Sequence, residues 1–260
     1  MSRLAVAATA AFGADVLERL AGRHEVAALL TRPDKPAGRG RKVAPPPAKV
    51  AAERLGIPVL QPERPEHPGT DVVVVCAYGL LIPDELLERG LWLNVHPSLL
   101  PRWRGAAPVE RALMTGDTES GVTIHQTVKE LDAGPIAAQG AFPIRPEDDA
   151  GAVYARSAEL AVELLDEALP EPTFRPQDGE PTYAEKIGPE DRELDWSRPP
   201  QELLNRIRAL SPHIGARGEL HERPVTVWRA TIEDGKLVPL EVQPEGGRRM
   251  AYEAWLRGLR

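Results

Sequence analysis

A single cysteine, Cys76, occurs in the 260-residue chain, so an intramolecular disulfide is excluded and a reducing, cytoplasmic compartment is expected. It lies inside DVVVVCAYG, where a core thiol is a better reading than a nucleophile or ligand. No grouping of Cys and His has metal-ligand spacing, so no metal is expected. No apolar stretch approaches the ~20 residues that span a bilayer, which speaks against a membrane protein. The early run LAVAATAAF follows an arginine in the manner of a signal peptide. Thr9, Gly13 and Asp15 interrupt that pattern, and a first strand and helix fit better. No G-x-G-x-x-G accompanies Gly13, so a dinucleotide fingerprint is missing. Acidic residues outnumber basic ones 39 to 32, and the net charge of −7 excludes a surface that is basic all over.

What is present reads as an α/β protein. Leu4 to Thr9 and Glu25 to Thr31 form short apolar strands around a helix that includes Asp15 to Leu20. Pro47 to Leu55 suits a helix and Ile57 to Leu60 a third strand. Asp71 to Ala77, nearly all valine, has the composition of a strand covered on both faces. This alternation implies a Rossmann-like, mostly parallel sheet with helical crossovers. Ala106 to Met114 reads as a helix that Gly116 stops. In the segment from Gly151 to Leu169, Val153, Leu160, Leu164 and Leu165 recur at helical spacing. From Pro170 to Pro200 the composition turns to Pro, Glu, Asp and Gly, which suits a linker. Gln201 to Leu210 is a short helix, and Leu220 to Ile232 and Lys236 to Val242 are strands of a small β unit. The expected organisation is a catalytic domain over residues 1–170, a linker over 171–199 and a small C-terminal β domain over 200–260.

The chemistry concentrates between Leu93 and Ile136. On a strand ending Asn94-Val95-His96, Asn94 and His96 project from the same face. A second strand-like run, Gly121 to Val128, leads to a turn carrying Leu131-Asp132-Ala133-Gly134. If both strands share a sheet, a carboxamide, an imidazole and a carboxylate meet at one strand end. That set suits acyl transfer to an amine: the amide and an imidazolium donate to a developing oxyanion, while the carboxylate orients and charges the histidine. Ser98-Leu99-Leu100-Pro101 and Arg102-Trp103-Arg104-Gly105 follow at once, a density of constrained and charged residues that a plain connection does not need.

A second signal is local charge. Between Arg32 and Lys49 six basic residues (Arg32, Lys35, Arg39, Arg41, Lys42 and Lys49) stand against Asp34 alone. Pro33, Pro36, Gly38 and Gly40 forbid regular structure there, so the segment reads as an exposed loop. Such a loop is either merely solvated or a basic arm for an RNA backbone.

Asn94-x-His96-x-Ser98-Leu99-Leu100-Pro101, RWRGAAP, GVTIH and LDAGPI together resemble the signature of the methionyl-tRNA formyltransferases, within the 10-formyltetrahydrofolate-dependent formyltransferase family. The resemblance runs from about Leu4 to about Trp228. It implies Asn94, His96 and Asp132 as the catalytic set and 10-formyltetrahydrofolate as formyl donor. It implies a folate slot formed by Ser98, Leu99, Leu100 and Pro101 together with the loop Tyr78, Gly79, Leu80, Leu81 and Ile82. It also implies initiator methionyl-tRNA as partner, with Lys35, Arg39, Arg41 and Lys42 on its acceptor end and Arg102 and Arg104 as further contacts. The family's C-terminal domain is an OB-like barrel, and about sixty residues are few for five strands, so a shortened version is expected. Where the family usually has Gly-Thr-Pro near the first turn, this chain has Ala8-Thr9-Ala10-Ala11. Nothing demands an oligomer, and a monomer is expected. The rival within the same chemistry is a formyltransferase acting on a nucleotide-linked amino sugar or other small amine. A non-catalytic folate or RNA binder and a formyl-folate hydrolase are rivals outside it.

Overall fold

The computed structural model describes residues 1–37 and 42–259, apart from the side chains of Ala37 and Lys42. Along the chain, β1 (Arg3–Ala8), α1 (Ala11–Ala21) and β2 (Glu25–Leu30) lead to a hairpin of β3 (Lys35–Ala37) and β4 (Lys42–Ala44). Then come α2 (Pro47–Arg54), β5 (Val59–Leu60), β6 (Val72–Cys76), α3 (Asp84–Leu87) and β7 (Leu91–His96). Next are β8 (Arg104–Gly105), α4 (Pro108–Thr115), β9 (Glu119–Gln126), β10 (Ile136–Pro143) and α5 (Ala150–Ala168). β11 (Tyr183–Ala184), a 3-10 turn at Glu190–Arg192 and α6 (Pro200–Leu210) precede β12 (Ala216–Leu220), β13 (Arg223–Glu233), β14 (Lys236–Pro244), β15 (Met250–Ala251) and α7 (Tyr252–Arg257). Two compact units result. The first holds Met1–Arg104, Gly121–Ala141 and Ala155–Thr182, and the second holds Gly105–Ser120, Phe142–Tyr154 and Tyr183–Arg260.

The main sheet has seven strands in the order β10-β9-β7-β6-β1-β2-β5. The pairs from β7 through β6, β1 and β2 to β5 are parallel, and β9 joins β7 antiparallel. The valine run of β6 shows why: Val74 and Cys76 enter one core with Leu4, Val6, Leu17 and Leu165, while Val73 and Val75 enter another with Leu30, Tyr78 and Trp92. Alternate residues of one strand are buried on opposite faces, which only a doubly covered sheet allows. Burial drives the Cys76 thiol pKa up, in keeping with a core thiol.

Close packing fixes how α1 leaves β1. A Cβ on Gly13 would lie 2.5 Å from the Cys76 carbonyl oxygen and 2.7 Å from the Ala8 Cβ, so a side chain there would push the helix off the sheet. The variant turn at Ala8–Ala11 is tied down as well: the Thr9 hydroxyl donates to the Tyr78 carbonyl at 2.8 Å, and the Thr9 and Ala10 amides donate to that of Ala77.

Three expectations need correction. The basic segment is not without regular structure, because Lys35, Pro36 and Ala37 pair antiparallel with Ala44, Val43 and Lys42. A two-stranded ribbon tolerates Pro36, whose missing N–H matters only where a neighbouring strand needs it. The strand expected from Leu220 to Ile232 starts later, as β13 at Arg223: Leu220 ends β12, and His221 and Glu222 turn the chain between them at φ of +51° and +58°. The stretch expected as a linker is not an open connection either. Arg175 pairs with Ile136, and Leu194 is buried in the core of the second unit.

In that second unit β12, β13, β14 and β15 form an antiparallel sheet, in that order, over α6. Its core joins Leu203, Ile207 and Leu210 of α6 to Val225, Val227, Val242 and Trp255, with Met114 of α4 packed against them. Gly116 ends α4 in the left-handed region, as the sequence implied.

Candidate active site

The register of β7 against β9 builds the site. Asn94 stands opposite His125 and His96 opposite Thr123, so the side chains of Asn94 and His125 leave the sheet on the same side. The His125 Nδ1–H donates to the Gln126 carbonyl at 3.0 Å, which leaves Nε2 as an acceptor. The Asn94 amide fills it, with Nδ2 at 3.0 Å from His125 Nε2 and 3.2 Å from Asp132 Oδ1. Asp132 reaches the site from the turn after β9, as the spacing implied. Its backbone lies in the left-handed region at φ +46°, and a Cβ on Gly134 would overlap the Gln126 carbonyl oxygen. Ala77 (φ +47°) and Trp103 (φ +63°) share that conformation. It costs a non-glycine residue about 1–2 kcal/mol and persists where the surroundings enforce it.

His96 is 4% exposed. Its Nε2–H donates to the Trp103 carbonyl at 2.8 Å, and its Nδ1 faces Asp132 Oδ2 at 3.6 Å. Burial lowers its pKa. Asp132 and the Trp103 carbonyl push the other way, and His125 adds a further lowering. Burial wins, so the resting ring is neutral at pH 7. The expectation that the carboxylate keeps His96 charged is corrected on that ground: desolvation of a buried imidazolium outweighs one carboxylate at this distance.

The Ser-Leu-Leu-Pro turn is tied in from beneath. The Thr123 hydroxyl donates to the Ser98 carbonyl at 2.7 Å and accepts the Leu100 amide at 3.0 Å, and the Ser98 hydroxyl donates to the Arg102 carbonyl. A strap from the expected linker closes the far side. The Trp103 amide donates to the Thr182 hydroxyl at 2.9 Å, and Gln177 donates to the carbonyls of Asp132 and Gly134.

Among residues implicated by sequence, Asn94, His96 and Asp132 converge. The side chains of Ser98, Leu100, Tyr78 and Ile82 are taken up in packing, Leu99 is half-buried beside Gly121, and Pro101 is half-buried in the same turn. Gly79 is exposed, Leu80 is partly buried against the core, and Leu81 is 83% exposed. Burial pushes the Tyr78 phenol up to about 12, so it stays neutral. Arg102 lies over the Trp103 ring at 4.4 Å, and Arg104 bonds Gln177. Lys35 is exposed on the hairpin, whereas Arg39, Arg41 and the Lys42 side chain lie outside the described residues. Sequence reasoning missed His125, Gln177 and Thr182. His125 was within reach, since it ends the GVTIH run and only the antiparallel register was wanting. Nothing in the Pro-rich strap marks Gln177. Among the described residues, no group of three or more His, Cys, Asp or Glu has metal-binding geometry.

A carboxamide and an imidazole at the carboxyl end of the parallel strand β7 meet His125 of the antiparallel β9 and the carboxylate from the turn after it, a set that suits group transfer in an α/β enzyme. The chain belongs to the formyl transferase family, whose model matches residues 2–169, while the family's C-terminal domain matches residues 186–237. It is 38% identical to the methionyl-tRNA formyltransferase of Listeria innocua, over 99% of this chain and 96% of that one. That alignment runs over 299 positions, more than the 260 residues here, so this chain carries gaps within it. In fold it is similar to the methionyl-tRNA formyltransferase from Clostridium thermocellum, with a TM-score of 0.67 at 15% identity over 94% of this chain and 98% of that one. HypX from Aquifex aeolicus in complex with tetrahydrofolic acid is a further fold relative. Its TM-score is 0.63 at 18% identity, over 98% of this chain and 46% of that one.

Proposed function

We propose that this chain transfers a formyl group from 10-formyltetrahydrofolate to the α-amino group of methionyl initiator tRNA, in translation initiation. The observation that carries the reading is the meeting of Asp132 with Asn94, 38 residues away, and with His96. The name borne by the Listeria innocua relative, over nearly its whole length, supports the acceptor. The folate ring is assigned to the loops carrying the exposed Leu81 and Leu131, a reading supported by the Lys129–Asp84 pair at 3.8 Å between those loops and by exposed apolar side chains on each.

The chain's own groups then divide the work. The neutral His96 is set to accept a proton from the attacking amine through Nδ1, and Asp132 stabilises the imidazolium so formed. The new C–N bond gives a tetrahedral intermediate, and as negative charge grows on the formyl oxygen that new N–H and the Asn94 amide are the donors. On collapse the C–N bond to the folate nitrogen breaks, and His96 returns its proton to that nitrogen, leaving tetrahydrofolate and a neutral ring. Asn94 holds both amide hydrogens at rest, and the longer bond, to Asp132, is the one the formyl oxygen displaces. Lys35, Arg39, Arg41, Lys42 and Arg102 are assigned to phosphates of the acceptor end. Arg104, engaged by Gln177, is a weaker candidate. The protein is taken to act as a cytoplasmic monomer.

The test supplies labelled 10-formyltetrahydrofolate with charged initiator tRNA, a nucleotide-linked amino sugar or buffer alone. Label on the methionine amine is expected. Label appearing only on the sugar, or only as free formate, sinks the reading.

A further inference from the structure

Gln177 sits in the strap between α5 and β11, where Arg175, Pro176, Asp178 and Gly179 are exposed while Gln177 itself is half-buried. Its side-chain oxygen accepts from Arg104 Nε at 3.1 Å and from Arg104 Nη2 at 2.6 Å. Its nitrogen donates to the Asp132 carbonyl at 2.7 Å and to the Gly134 carbonyl at 2.9 Å. Both lone pairs and both hydrogens of the amide are therefore used. The orientation is unambiguous, since a flipped amide would set its hydrogens against a guanidinium and its oxygen against two carbonyls. The charge on Arg104 polarises the amide and strengthens the bonds it gives.

These bonds fall on the backbone of the turn whose Asp132 is held in the left-handed region. Arg104 lies next to Trp103, whose carbonyl receives the His96 Nε2–H. One amide thus joins the segment that holds the imidazole to the turn that holds the carboxylate. We infer that Gln177 is a positioning residue for the proposed reaction: with Arg104 it sets the Asp132 carboxylate against His96 and Asn94, although it touches none of the reacting atoms. This deepens the functional reading given above and rests on it.

Three substitutions separate positioning from mere cohesion of the strap. Gln177→Glu keeps the acceptor for Arg104 but turns lone pairs on the two carbonyls of the turn. Gln177→Met keeps bulk and loses all four bonds, and Arg104→Ala leaves the amide without its partner. Gln177→Glu and Gln177→Met are expected to lower kcat by about 10–100-fold, as a displacement near 1 Å does. KM for the formyl donor should stay within roughly twofold, because donor binding uses other groups. Arg104→Ala should give a smaller loss, and adding it to Gln177→Met should cost nothing further.

An independent readout is the titration of the His96 ring, followed by NMR with labelled histidine. The titratable groups facing it are Asp132 and His125. Moving the carboxylate away should shift the His96 midpoint to lower pH. Wild-type turnover in Gln177→Glu, or a His96 titration unmoved in both Gln177 variants, overturns the inference. Absence of formyl transfer by the unaltered protein would remove the functional reading, while the titration would still decide the role of Gln177.

Discussion

Asn94 and His125 face each other across β7 and β9, and the amide of one reaches the bare ring nitrogen of the other at 3.0 Å. His125 thereby orients the carboxamide assigned to the formyl oxygen. His125→Leu removes the acceptor, and loss of a neutral hydrogen bond of ~1 kcal/mol predicts a kcat lower by roughly fivefold. His125→Gln, which offers an oxygen, should retain more activity. Asn94→Ala should cost about 10²–10³. Steady-state kinetics on folded protein decides, and full turnover in His125→Leu would take it out of the site.

The buried His96 also sets a pH dependence. Its pKa is below the ordinary 6.5 in the folded protein, chiefly through burial. The associated stability is therefore complete above 6.5 and is lost as pH falls from there through the lowered folded-state value. Thermal melts between about pH 7 and pH 5 should show wild type weakening more steeply than His96→Asn. Equal slopes would contradict the burial argument. Turnover should fall on the same acid side, because a protonated ring cannot take the amine's proton.

Gly134 tests the turn itself. A methyl group there overlaps the Gln126 carbonyl oxygen and comes within 3.3 Å of His125 Nδ1. Gly134→Ala should destabilise by about 1–3 kcal/mol, the usual range for overpacking. It should lower kcat more than its stability loss explains, since the shift lands on Asp132. A variant with normal kcat would show that the carboxylate tolerates displacement.

In the second unit, Arg111 grips Asp191 through two bonds of 2.7 and 2.8 Å, with side chains 20% and 15% exposed. The Arg111 hydrogen bonds hold the Asp191 carboxyl below its usual 3.8, so its stabilisation is present above that value and lost as pH falls through the lowered one. Asp191→Ala should cost about 3 kcal/mol, a lowering of Tm by roughly 6–12 °C. Calorimetry checks this, and a change under about 1 kcal/mol would mean the pair behaves as a surface one.

Neutralising Lys35, Arg39, Arg41 and Lys42 together should raise KM for charged tRNA and flatten its salt dependence by about one unit per lost phosphate contact. Use of the formyl donor should not change. An unaltered salt slope would detach these residues from the RNA.

Much of the fold was legible because periodicity survives in one dimension. The valines of β6 and the Val153–Leu165 stripe of α5 announce their burial directly. Asn94 and His96 were readable because a strand alternates, and Asp132 because Leu-Asp-Ala-Gly reads as a turn. His125 depended on an antiparallel register that spacing alone does not supply. Gln177 and Thr182 lie in a stretch whose composition looks like a tether, and only their hydrogen bonds reveal a wall of the site.

The order of residues by itself determined which segments are strands and helices, and which polar groups could meet at a strand end, because local periodicity and turn chemistry act over a few residues. Tertiary structure alone decided the state of those groups. The neutrality of His96 comes from desolvation by the packed interior, and the aim of Asn94 and Asp132 comes from partners 31 and 45 residues away. Neither burial nor a long-range hydrogen bond belongs to any single stretch of chain, and both set the chemistry of the site.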